Sequence, residues 1–375
     1  MTTMRAAVLH AIGDLRVEDR PVPAPAPDEV LIRIAVCGVC GSDATEFGRW
    51  KVLAEPPVVL GHEFVGTVEA VGSEVADLSP GATVVCGAGV SCGDCAPCRA
   101  GRTNLCRTYR TLGFHRDGGL AGYVVAPAAI VYDVSDAGLT TDTLGLAQPM
   151  AIAVHAVRRS GLTAGQDAVV VGAGGIGAFI AFAAASTGAR VLVLDRNDDR
   201  LDLALRLGAF AARNARTTDL TTAIEDAGLE PEVFFEVSGS SEGLAQVLGA
   251  ARPGATLVPV GIQRGEPALP LGSFTLREFA IVGTVAHVFR DDIPEAVRLL
   301  GTRPDWSDVA GTVVPLEDVE AAALRPLLAG GSRQIKTLVD PWISSARSAR
   351  HRAAGSASPS IARSTSTAEA GPPAA

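Results

Sequence analysis

Four cysteines lie close together in one glycine- and proline-rich stretch of the chain. Cys92, Cys95 and Cys98 follow one another at intervals of three residues, and Cys106 comes eight residues later. Four thiolates at this spacing can surround a tetrahedral Zn²⁺ ion, which is typical of a structural site with no open position. Buried or redox-active cysteines are the alternative, but four neighbouring thiols without metal are unusual in a reducing compartment. The sequence therefore predicts a structural zinc lobe over residues 86–110.

A second possible metal site combines residues from two loops. Cys40 is followed by Ser42 and Asp43, and His62 and Glu63 come about twenty positions later. A catalytic zinc site needs three protein ligands and one exchangeable position, and a thiolate and an imidazole supply two of these ligands. Taken alone, a cysteine and a histidine at this separation are more often core residues.

A glycine-rich turn forms the third motif. Residues 172–177, GAGGIG, follow an apolar strand and open a helix, and Asp195 ends the next strand. Glycines let the backbone approach a pyrophosphate, and an acid at this distance can bind the adenosine ribose hydroxyls. Asp195 would repel a 2′-phosphate, which favours NAD(H), whereas the nearby Arg196 and Arg200 keep NADP(H) open. The predicted cofactor contacts are Gly172, Gly174, Gly175, Ile176, Gly177, Asp195, Arg196, Arg200 and Ser238.

The elements that position these motifs change character along the chain. Residues 1–150 read as short strands separated by Gly and Pro, which is typical of an all-β unit. Over residues 167–285, apolar strands alternate with Ala/Leu-rich helices, which predicts a parallel sheet with helices on both faces. A mixed segment follows, and from Trp342 a Ser/Ala/Arg/Pro-rich composition predicts a disordered tail, the alternative being a regulatory or targeting arm.

Length and composition limit the class of protein. The chain has 375 residues, 47% of them hydrophobic, and a net charge of −9. This length predicts two domains, and the negative charge without a basic stripe argues against nucleic-acid and membrane partners. Residues 168–189 are uncharged and long enough to cross a bilayer, but their strand, glycine turn and helix fit a buried α/β unit better. The N-terminus has no export signal, so the cytoplasm is expected, with Cys37 and Cys86 as unpaired core residues.

Taken together, the motifs resemble those of the zinc-dependent medium-chain dehydrogenase/reductase family over about residues 5–340. The resemblance rests on CGSD, GHEFVGTVEAVG, the CGDCAPCRAG lobe, GAGGIG with its downstream Asp195, and a closing KTLVDP. Within the family, QPMAIAVHAVRRSG and REFAIVGTVAHVFRDDIPEAVRLL are most similar to 2,3-butanediol and sorbitol-type polyol dehydrogenases, with threonine dehydrogenase close behind.

The resemblance implies a GroES-like β catalytic domain with an inserted Rossmann domain and an active site between them. The expected bounds are 1–155 for the first catalytic part, 156–286 for the NAD-binding domain, 287–341 for the return and 342–375 for the tail. It also implies a homodimer or homotetramer, with the apolar stretch at 269–286 as a possible contact and ordinary core as the alternative.

The resemblance also assigns roles around the second metal site. Cys40 and His62 would bind the catalytic zinc, and Glu63 would be a nearby carboxylate that ligates transiently. Asp43 would orient His62, and Ser42 would pass the alcohol proton outward.

Two positions depart from the family pattern. Gln148 stands before Pro149 where polyol-type relatives have a glutamate ligand, so the site would be one unit more positive and hold zinc less tightly. Thr45 stands where relatives usually place a histidine of the proton relay, so protons would leave through Thr45, a ribose hydroxyl or water.

Phe47 and Trp50 are candidate pocket walls or ordinary core aromatics, His115 and His287 are equally ambiguous, and His155 is expected to pack near the domain junction.

The implied reaction interconverts a secondary alcohol of a vicinal diol or polyol and its ketone, using two Zn²⁺ ions per chain and NAD(H). One alternative is a threonine-type amino-alcohol or aminocyclitol dehydrogenase of a specialised pathway. A second is a zinc-stabilised nucleotide-binding protein with impaired catalysis, which Gln148 and Thr45 suggest.

Overall fold

The computed structural model of this chain describes residues 2–49, 53–263, 265–330 and 334–351. Trp50, predicted as a pocket wall or an ordinary core aromatic, and residues 352–375 of the predicted tail lie outside the described residues.

The first part of the chain folds into short, mostly antiparallel strands, as the Gly and Pro spacing predicts. β2, β1 and β4 form a three-stranded sheet, and β3 pairs with β5 at the centre of a larger eight-stranded sheet. The strands are β1 (Thr3–Ala11), β2 (Asp14–Pro21), β3 (Glu29–Val39), β4 (Val58–Val59), β5 (Glu63–Val71), β6 (Thr83–Cys86), β7 (Gly89–Val90), β8 (Arg110–Thr111), β9 (Tyr123–Pro127) and β10 (Val131–Asp133). The helices of this part are α1 (Gly41–Gly48) and α2 (Ala96–Arg99).

Two helices lead into the second domain. They are α3 (Thr141–Leu144) and α4 (Ala147–Ser160), so the boundary predicted at residue 155 falls inside α4. Gly161, with φ +74°, ends α4 in a left-handed conformation that glycine adopts without strain.

The middle of the chain forms the predicted parallel sheet. Its strands are β11 (Asp167–Val171), β12 (Arg190–Asp195), β13 (Ala211–Asn214), β14 (Val233–Glu236), β15 (Thr256–Pro259) and β16 (Ala280–Ile281). The connecting helices are α5 (Gly175–Ser186), α6 (Asp198–Arg206), α7 (Leu220–Ala227), α8 (Ser241–Ala250) and α9 (Leu271–Arg277). The sheet order β13-β12-β11-β14-β15-β16 is that of a dinucleotide-binding fold. Ala168 and Val170 face one hydrophobic core and Val169 and Val171 another, which is why β11 is apolar throughout.

After the parallel sheet, the chain returns to the β domain. The returning elements are α10 (Phe289–Gly301), β17 (Thr312–Pro315), α11 (Arg325–Ala329), β18 (Thr337–Asp340) and β19 (Arg347–Ser348). β18 pairs antiparallel with β3, so that Leu338, near the end of the chain, lies opposite Gly38, near its start. This pairing confirms the predicted architecture of a β domain interrupted by a doubly wound parallel sheet.

The start of the predicted tail is packed against the protein, so the prediction of disorder from Trp342 is wrong for residues 342–351, here called the C-terminal strap. Within it, β19 pairs with β17, Arg347 forms ion pairs with Asp142, and Trp342 Nε1 donates to the Ile34 carbonyl at 2.7 Å. The composition suggested disorder because the strap has few large apolar residues. It is held instead by backbone pairing and by polar contacts with distant residues.

The possible membrane span at residues 168–189 resolves into β11, the glycine turn and α5. Among the described residues, no helix combines the length and the apolar composition needed to cross a membrane.

Candidate active site and cofactor cleft

The four cysteines of the predicted lobe converge on one point. Their sulfur atoms are separated by 4.0 Å for Cys92 and Cys98, 3.4 Å for Cys95 and Cys98, 3.9 Å for Cys95 and Cys106, and 3.5 Å for Cys106 and Cys92. Zn–S bonds of about 2.3 Å place sulfurs about 3.8 Å apart at the corners of a tetrahedron. The lobe therefore fits a Zn²⁺ ion without further rearrangement.

The pKa values of these thiols also indicate that a cation is needed for all four to be ionised. Burial raises the pKa of Cys98 to about 12, and its thiol neighbours act in the same direction. Burial opposes ionisation of Cys106 as well, but the Cys92 amide, which donates to its sulfur at 3.2 Å, and Thr108 lower its pKa to about 6. Four thiolates at these distances repel one another, so all four can be ionised together only around a positive ion.

Asp43 joins the two loops of the second metal site. Its carboxylate accepts from the Cys40 amide at 2.8 Å and the Gly61 amide at 3.3 Å, and it lies 3.3 Å from His62 Nδ1. Burial disfavours a charged imidazole, but Asp43 raises the pKa of His62 well above its usual value. Because Nδ1 faces Asp43, Nε2 is the nitrogen available to a metal, as expected for a histidine oriented by a carboxylate.

Two of the three residues expected to hold the catalytic zinc, Cys40 and His62, lie together with the Glu63 carboxylate. The ligand atoms of Cys40, His62 and Glu63 are all within 4.8 Å of one another. Cys40 precedes α1, and Glu63 is the first residue of β5, so the group forms where a helix start meets a strand start. A thiolate, an imidazole and a carboxylate are donors that zinc prefers, so this set fits a catalytic zinc site.

Lys336 is a residue of this site that sequence reasoning missed. Its Nζ lies 2.9 Å from Glu63 Oε1 and 2.7 Å from Oε2, with both side chains at most 2% exposed. A Cβ at Gly38 would stand 2.6 Å from Glu63 Oε2, so glycine leaves room for the pair. Burial disfavours the ammonium, but Glu63 raises the pKa of Lys336 above its ordinary value. The signal was a lysine in the apolar strand run QIKTLVD, where a charge needs a partner.

For the other residues of the predicted site, Ser42, Thr45 and Gln148, the structure gives a position but does not test the predicted role. Ser42 Oγ lies 3.5 Å from His62 Nε2, on the side open to a metal or substrate. The Thr45 hydroxyl donates a hydrogen bond to the Gly41 carbonyl at 2.9 Å. A proton relay through Thr45 would first have to break this side-chain hydrogen bond. Gln148 is 8% exposed in the first turn of α4, and its ligand role stays a prediction.

The glycine turn forms the wall of a nucleotide-sized cleft. Gly172 has φ +99°, and a Cβ there would stand 2.9 Å from the Ser238 amide nitrogen. A Cβ at Gly177 would overlap the Gly172 carbonyl, so α5 can approach β11 only with glycine. By contrast, a Cβ at Gly174 would meet nothing nearer than an Arg200 nitrogen at 3.9 Å, which leaves open space over the start of α5 for a pyrophosphate.

The cleft has a volume of about 480 Å³ and brings together six of the predicted cofactor contacts. They are Gly172, Gly174, Asp195, Arg196, Arg200 and Ser238. Gly175, Ile176 and Gly177 lie behind them in the first turn of α5. Asp195 Oδ2 accepts from the Ala173 amide at 2.7 Å and Oδ1 from the Asn197 amide at 2.9 Å. These bonds fix the carboxylate at the end of β12, where a ribose would lie.

The cleft contains further residues that the sequence motif does not specify. Arg216 and Ser240 follow β13 and β14, and Gly330 reaches the cleft from the returning part of the chain. The first two could have been found from the rule that ligands bind at the carboxyl ends of parallel strands. Gly330 could not, because it is brought there by the domain return.

Phe47, whose role was ambiguous, and His155 are structural in this fold. Phe47 is 2% exposed and belongs to the core of the β domain. His155 packs at the domain junction as predicted, with Nδ1 2.9 Å from Asp292 Oδ2 and Nε2 3.3 Å from Asn104 Nδ2.

Comparison with known proteins agrees with this architecture. A family model described as the alcohol dehydrogenase GroES-like domain matches residues 26–136, and one described as zinc-binding dehydrogenase matches residues 175–302. An L-threonine 3-dehydrogenase from Anaeromyxobacter sp. (strain Fw109-5) is 34% identical over 317 residues, covering 83% of this chain and 92% of that protein. Human sorbitol dehydrogenase is 35% identical over 310 residues, which cover 79% of this chain and 85% of the human protein.

Solved structures show the same fold. The 2R,3R-butanediol dehydrogenase of Bacillus subtilis superposes with a TM-score of 0.82 at 28% identity, covering 90% of this chain and 99% of its own. A Sinorhizobium meliloti 1021 protein described as a zinc-binding dehydrogenase, solved with NADP, has a TM-score of 0.82 at 30% identity and covers 91% of this chain and 100% of its own. Fold, motifs and relatives together establish that the chain belongs to the zinc-dependent medium-chain dehydrogenase/reductase family, whose members bind zinc and a nicotinamide dinucleotide.

Proposed function

We propose that this enzyme oxidises a secondary alcohol of a vicinal diol or polyol to the ketone, reversibly, with NAD⁺ as hydride acceptor. The observation that carries the proposal is the convergence of Cys40, His62 and Glu63, in a chain that also forms a dinucleotide cleft. Zinc bound there would polarise the substrate oxygen, and the dinucleotide would accept the hydride.

The chain's own residues hold and orient these groups. Asp43 lies 3.3 Å from His62 Nδ1 and accepts from both the Cys40 and the Gly61 amides, so it holds the two loops together beside the imidazole. In this proposal the Ser42 hydroxyl accepts the alcohol proton, which its 3.5 Å distance from His62 Nε2 supports. Lys336 neutralises Glu63, which limits the negative charge next to the reacting oxygen.

NAD is the proposed cofactor because the Asp195 carboxylate stands at the end of β12 and would repel a 2′-phosphate. Arg196, Arg200 and Arg216 line the same cleft and are the features that favour NADP. Equilibrium binding decides between them: Asp195→Ala should weaken NADH binding while improving NADPH binding. Equal loss for both dinucleotides would contradict the NAD assignment.

Two other functions have specific observations behind them. Oxidation of an amino alcohol such as L-threonine is suggested by the 34% identity to L-threonine 3-dehydrogenase. Impaired catalysis is suggested by Gln148 and by Thr45, whose hydroxyl is engaged by Gly41.

The test is a substrate panel with zinc-loaded protein and either NAD⁺ or NADP⁺. It comprises vicinal diols, polyols, amino alcohols including L-threonine, and simple secondary alcohols, with Cys40→Ala as the inactive control. A clear preference for diols or polyols is expected. Preference for L-threonine would replace the proposed substrate class, and turnover by Cys40→Ala would overturn the zinc-based reaction.

We also propose self-association through the edge strand β16. Its residues Ala280 and Ile281 are exposed, and Leu271, Leu276 and Val285 nearby are 69%, 87% and 53% exposed. An exposed edge strand beside apolar side chains is a common site for pairing with a second copy. Light scattering on the intact protein and on Leu276→Asp tests it, and an intact protein that is monomeric at assay concentration would contradict the proposal.

A further inference from the structure

A buried carboxylate lies next to the cofactor cleft and has no role in the site described above. Glu236 is the last residue of β14 and is 0% exposed. β14 pairs in parallel with β11, so that Glu236 lies beside Val171, the residue before the Gly172 turn. Burying a carboxylate is costly unless charges or hydrogen-bond donors surround it, so this position needs an explanation.

Four hydrogen bonds reach the two oxygens of this carboxylate. Oε1 accepts from the Ser238 amide at 2.9 Å and from the Ser238 hydroxyl, and Oε2 accepts from the Gly239 amide at 3.2 Å. The fourth donor is Gln263 Nε2 at 2.5 Å, from the loop that follows β15. Burial raises the pKa of Glu236, and these four donors oppose the rise. The carboxylate is therefore stabilised by the groups that it holds in place.

Three of the four donors belong to the turn after β14, which forms one wall of the cofactor cleft. Residues 237–240 line this cleft together with Gly172. A Cβ at Gly239 would stand 2.6 Å from the Ile262 carbonyl oxygen, and a Cβ at Gly261 would overlap the Gly239 amide nitrogen. The turn is thus packed closely against the loop after β15, and Glu236 bonds to both segments.

Glu236 also sets the direction of the hydroxyl groups in this wall. A carboxylate only accepts hydrogen bonds, so the Ser238 hydroxyl donates its hydrogen to Glu236. The Ser240 hydroxyl, 2.8 Å from Ser238 Oγ, then donates to Ser238 and accepts from the Gly243 amide at 3.0 Å as the N-cap of α8. The influence of the carboxylate therefore extends through two serines to the start of α8.

The wall held by Glu236 belongs to the second half of the parallel sheet. The first half consists of β11, β12 and β13, with Asp195 at the end of β12, and the second consists of β14, β15 and β16. A dinucleotide lies across such a sheet with one nucleotide on each half. With the adenosine ribose at Asp195, the turn after β14 faces the nicotinamide nucleotide.

We propose that Glu236 is a positioning residue for the cofactor, because through Ser238, Gly239 and Gln263 it holds the wall that receives the nicotinamide half of the dinucleotide. Glu236 is not among the residues that line the cleft, so it acts through them. The inference concerns cofactor binding and is independent of which alcohol the enzyme oxidises.

The experiment compares equilibrium binding of NADH with that of 5′-AMP, which contains only the adenosine half. NADPH replaces NADH if the wild type binds it more tightly. Glu236→Gln keeps the shape of the side chain but replaces one acceptor oxygen by an amide group that faces other donors. The affinity of the zinc-loaded protein for NADH should fall about tenfold, while that for 5′-AMP should stay within about twofold of the wild type.

Asp167 provides a matched control at the opposite edge of the sheet. It is a 4% exposed carboxylate at the start of β11, and it accepts from Arg190 Nε at 2.7 Å and from the Glu230 amide at 2.6 Å. Asp167→Asn should lower the Tm and leave the affinities for both ligands unchanged. This variant shows what the loss of a buried carboxylate does when the cofactor edge is intact.

Gln263→Leu is a second test that keeps the carboxylate and removes only its bond to the loop after β15. NADH binding should weaken about threefold, with 5′-AMP binding unchanged. If Glu236→Gln does not fold, Gln263→Leu decides the question.

Two results for Glu236→Gln would overturn the assignment: unchanged affinity for NADH, or equal loss of NADH and 5′-AMP. If only Gln263→Leu folds, either of these results in that variant does the same. Binding is measured without turnover, so a wild type that binds NADH but oxidises no alcohol of the panel would contradict the proposed function and not this inference.

Discussion

The ammonium of Lys336 lies 2.7 Å from the carboxylate of Glu63, and both side chains are almost completely buried. The two residues are 273 positions apart. Lys336 directly precedes β18 and Glu63 begins β5, and both strands pair with β3. The ion pair thus joins the end of the fold to the metal group.

Breaking this pair from one side should be costly. Lys336→Met should lower the free energy of unfolding by about 3–5 kcal/mol, because the Glu63 carboxylate is left buried without a counter-charge. The double variant Lys336→Met/Glu63→Gln should recover much of that loss. Urea unfolding of the zinc-loaded proteins measures both, with Arg298→Met as a control that removes an exposed ion pair and should change stability by less than about 1 kcal/mol. Equal stability of the single and double variants would show that the two charges are not coupled.

Zinc in the cysteine lobe should be structural. Cys98→Ser should reduce the metal content from about two Zn²⁺ ions per chain to about one, and should lower the Tm. Cys86→Ala removes a buried thiol outside the lobe and should leave the zinc content unchanged. Metal analysis after dialysis checks both variants, and a Cys98→Ser protein that retains two ions would contradict the assignment.

The role of Gln148 can be tested by restoring a negative charge. If its amide contributes to the catalytic site, Gln148→Glu should slow the loss of that zinc to a chelator, because a carboxylate binds the ion more strongly than an amide does. Gln148→Leu should speed the loss. The Cys98→Ser background, with its lobe site removed, makes the second ion visible alone. Unchanged kinetics in both variants would exclude Gln148 as a ligand.

The C-terminal strap should contribute to stability. Arg347 donates to both Asp142 oxygens, at 2.6 and 2.9 Å, and the Arg350 amide donates to Asp142 as well. Asp142 is 2% exposed, so Arg347→Ala should cost about 2 kcal/mol, less than a fully buried pair because Arg347 itself is partly exposed. Deleting residues 342–375 should cost more, whereas deleting 352–375 is the control and should cost little. Thermal unfolding of the three proteins measures the differences, and a strap deletion as stable as the control would show that the strap is not anchored.

Much of the fold could be predicted from local patterns. The apolar run at 168–171, the glycine turn and Asp195 specify a strand, a turn and the next strand end within 30 residues, and the structure confirms each. The four lobe cysteines needed only short-range spacing. Cys40 and His62 were different, because two residues in separate loops became a candidate site only through the family resemblance. Their meeting depends on Asp43, which holds both loops.

The strap and the polar pairs are where sequence reasoning failed. Composition predicted disorder from Trp342 because few large apolar residues follow it, yet Arg347 and His351 are anchored to Asp142 and Thr143, some 200 positions earlier. Such contacts leave no periodic pattern in the sequence, since each depends on one donor meeting one acceptor.

The sequence by itself determined the elements and the chemistry they carry: a cysteine lobe, a glycine turn with its acid, and an alternation of strands and helices. These features are local, because spacing and hydrophobic period act within a few residues. Only the tertiary structure decided which distant groups meet: Lys336 with Glu63, the strap with Asp142, Gly330 with the cofactor cleft, and His287 with Gly87. The physical reason is that burial and pairing of polar groups are set by the return of the chain to β3, which brings together residues that no local pattern relates.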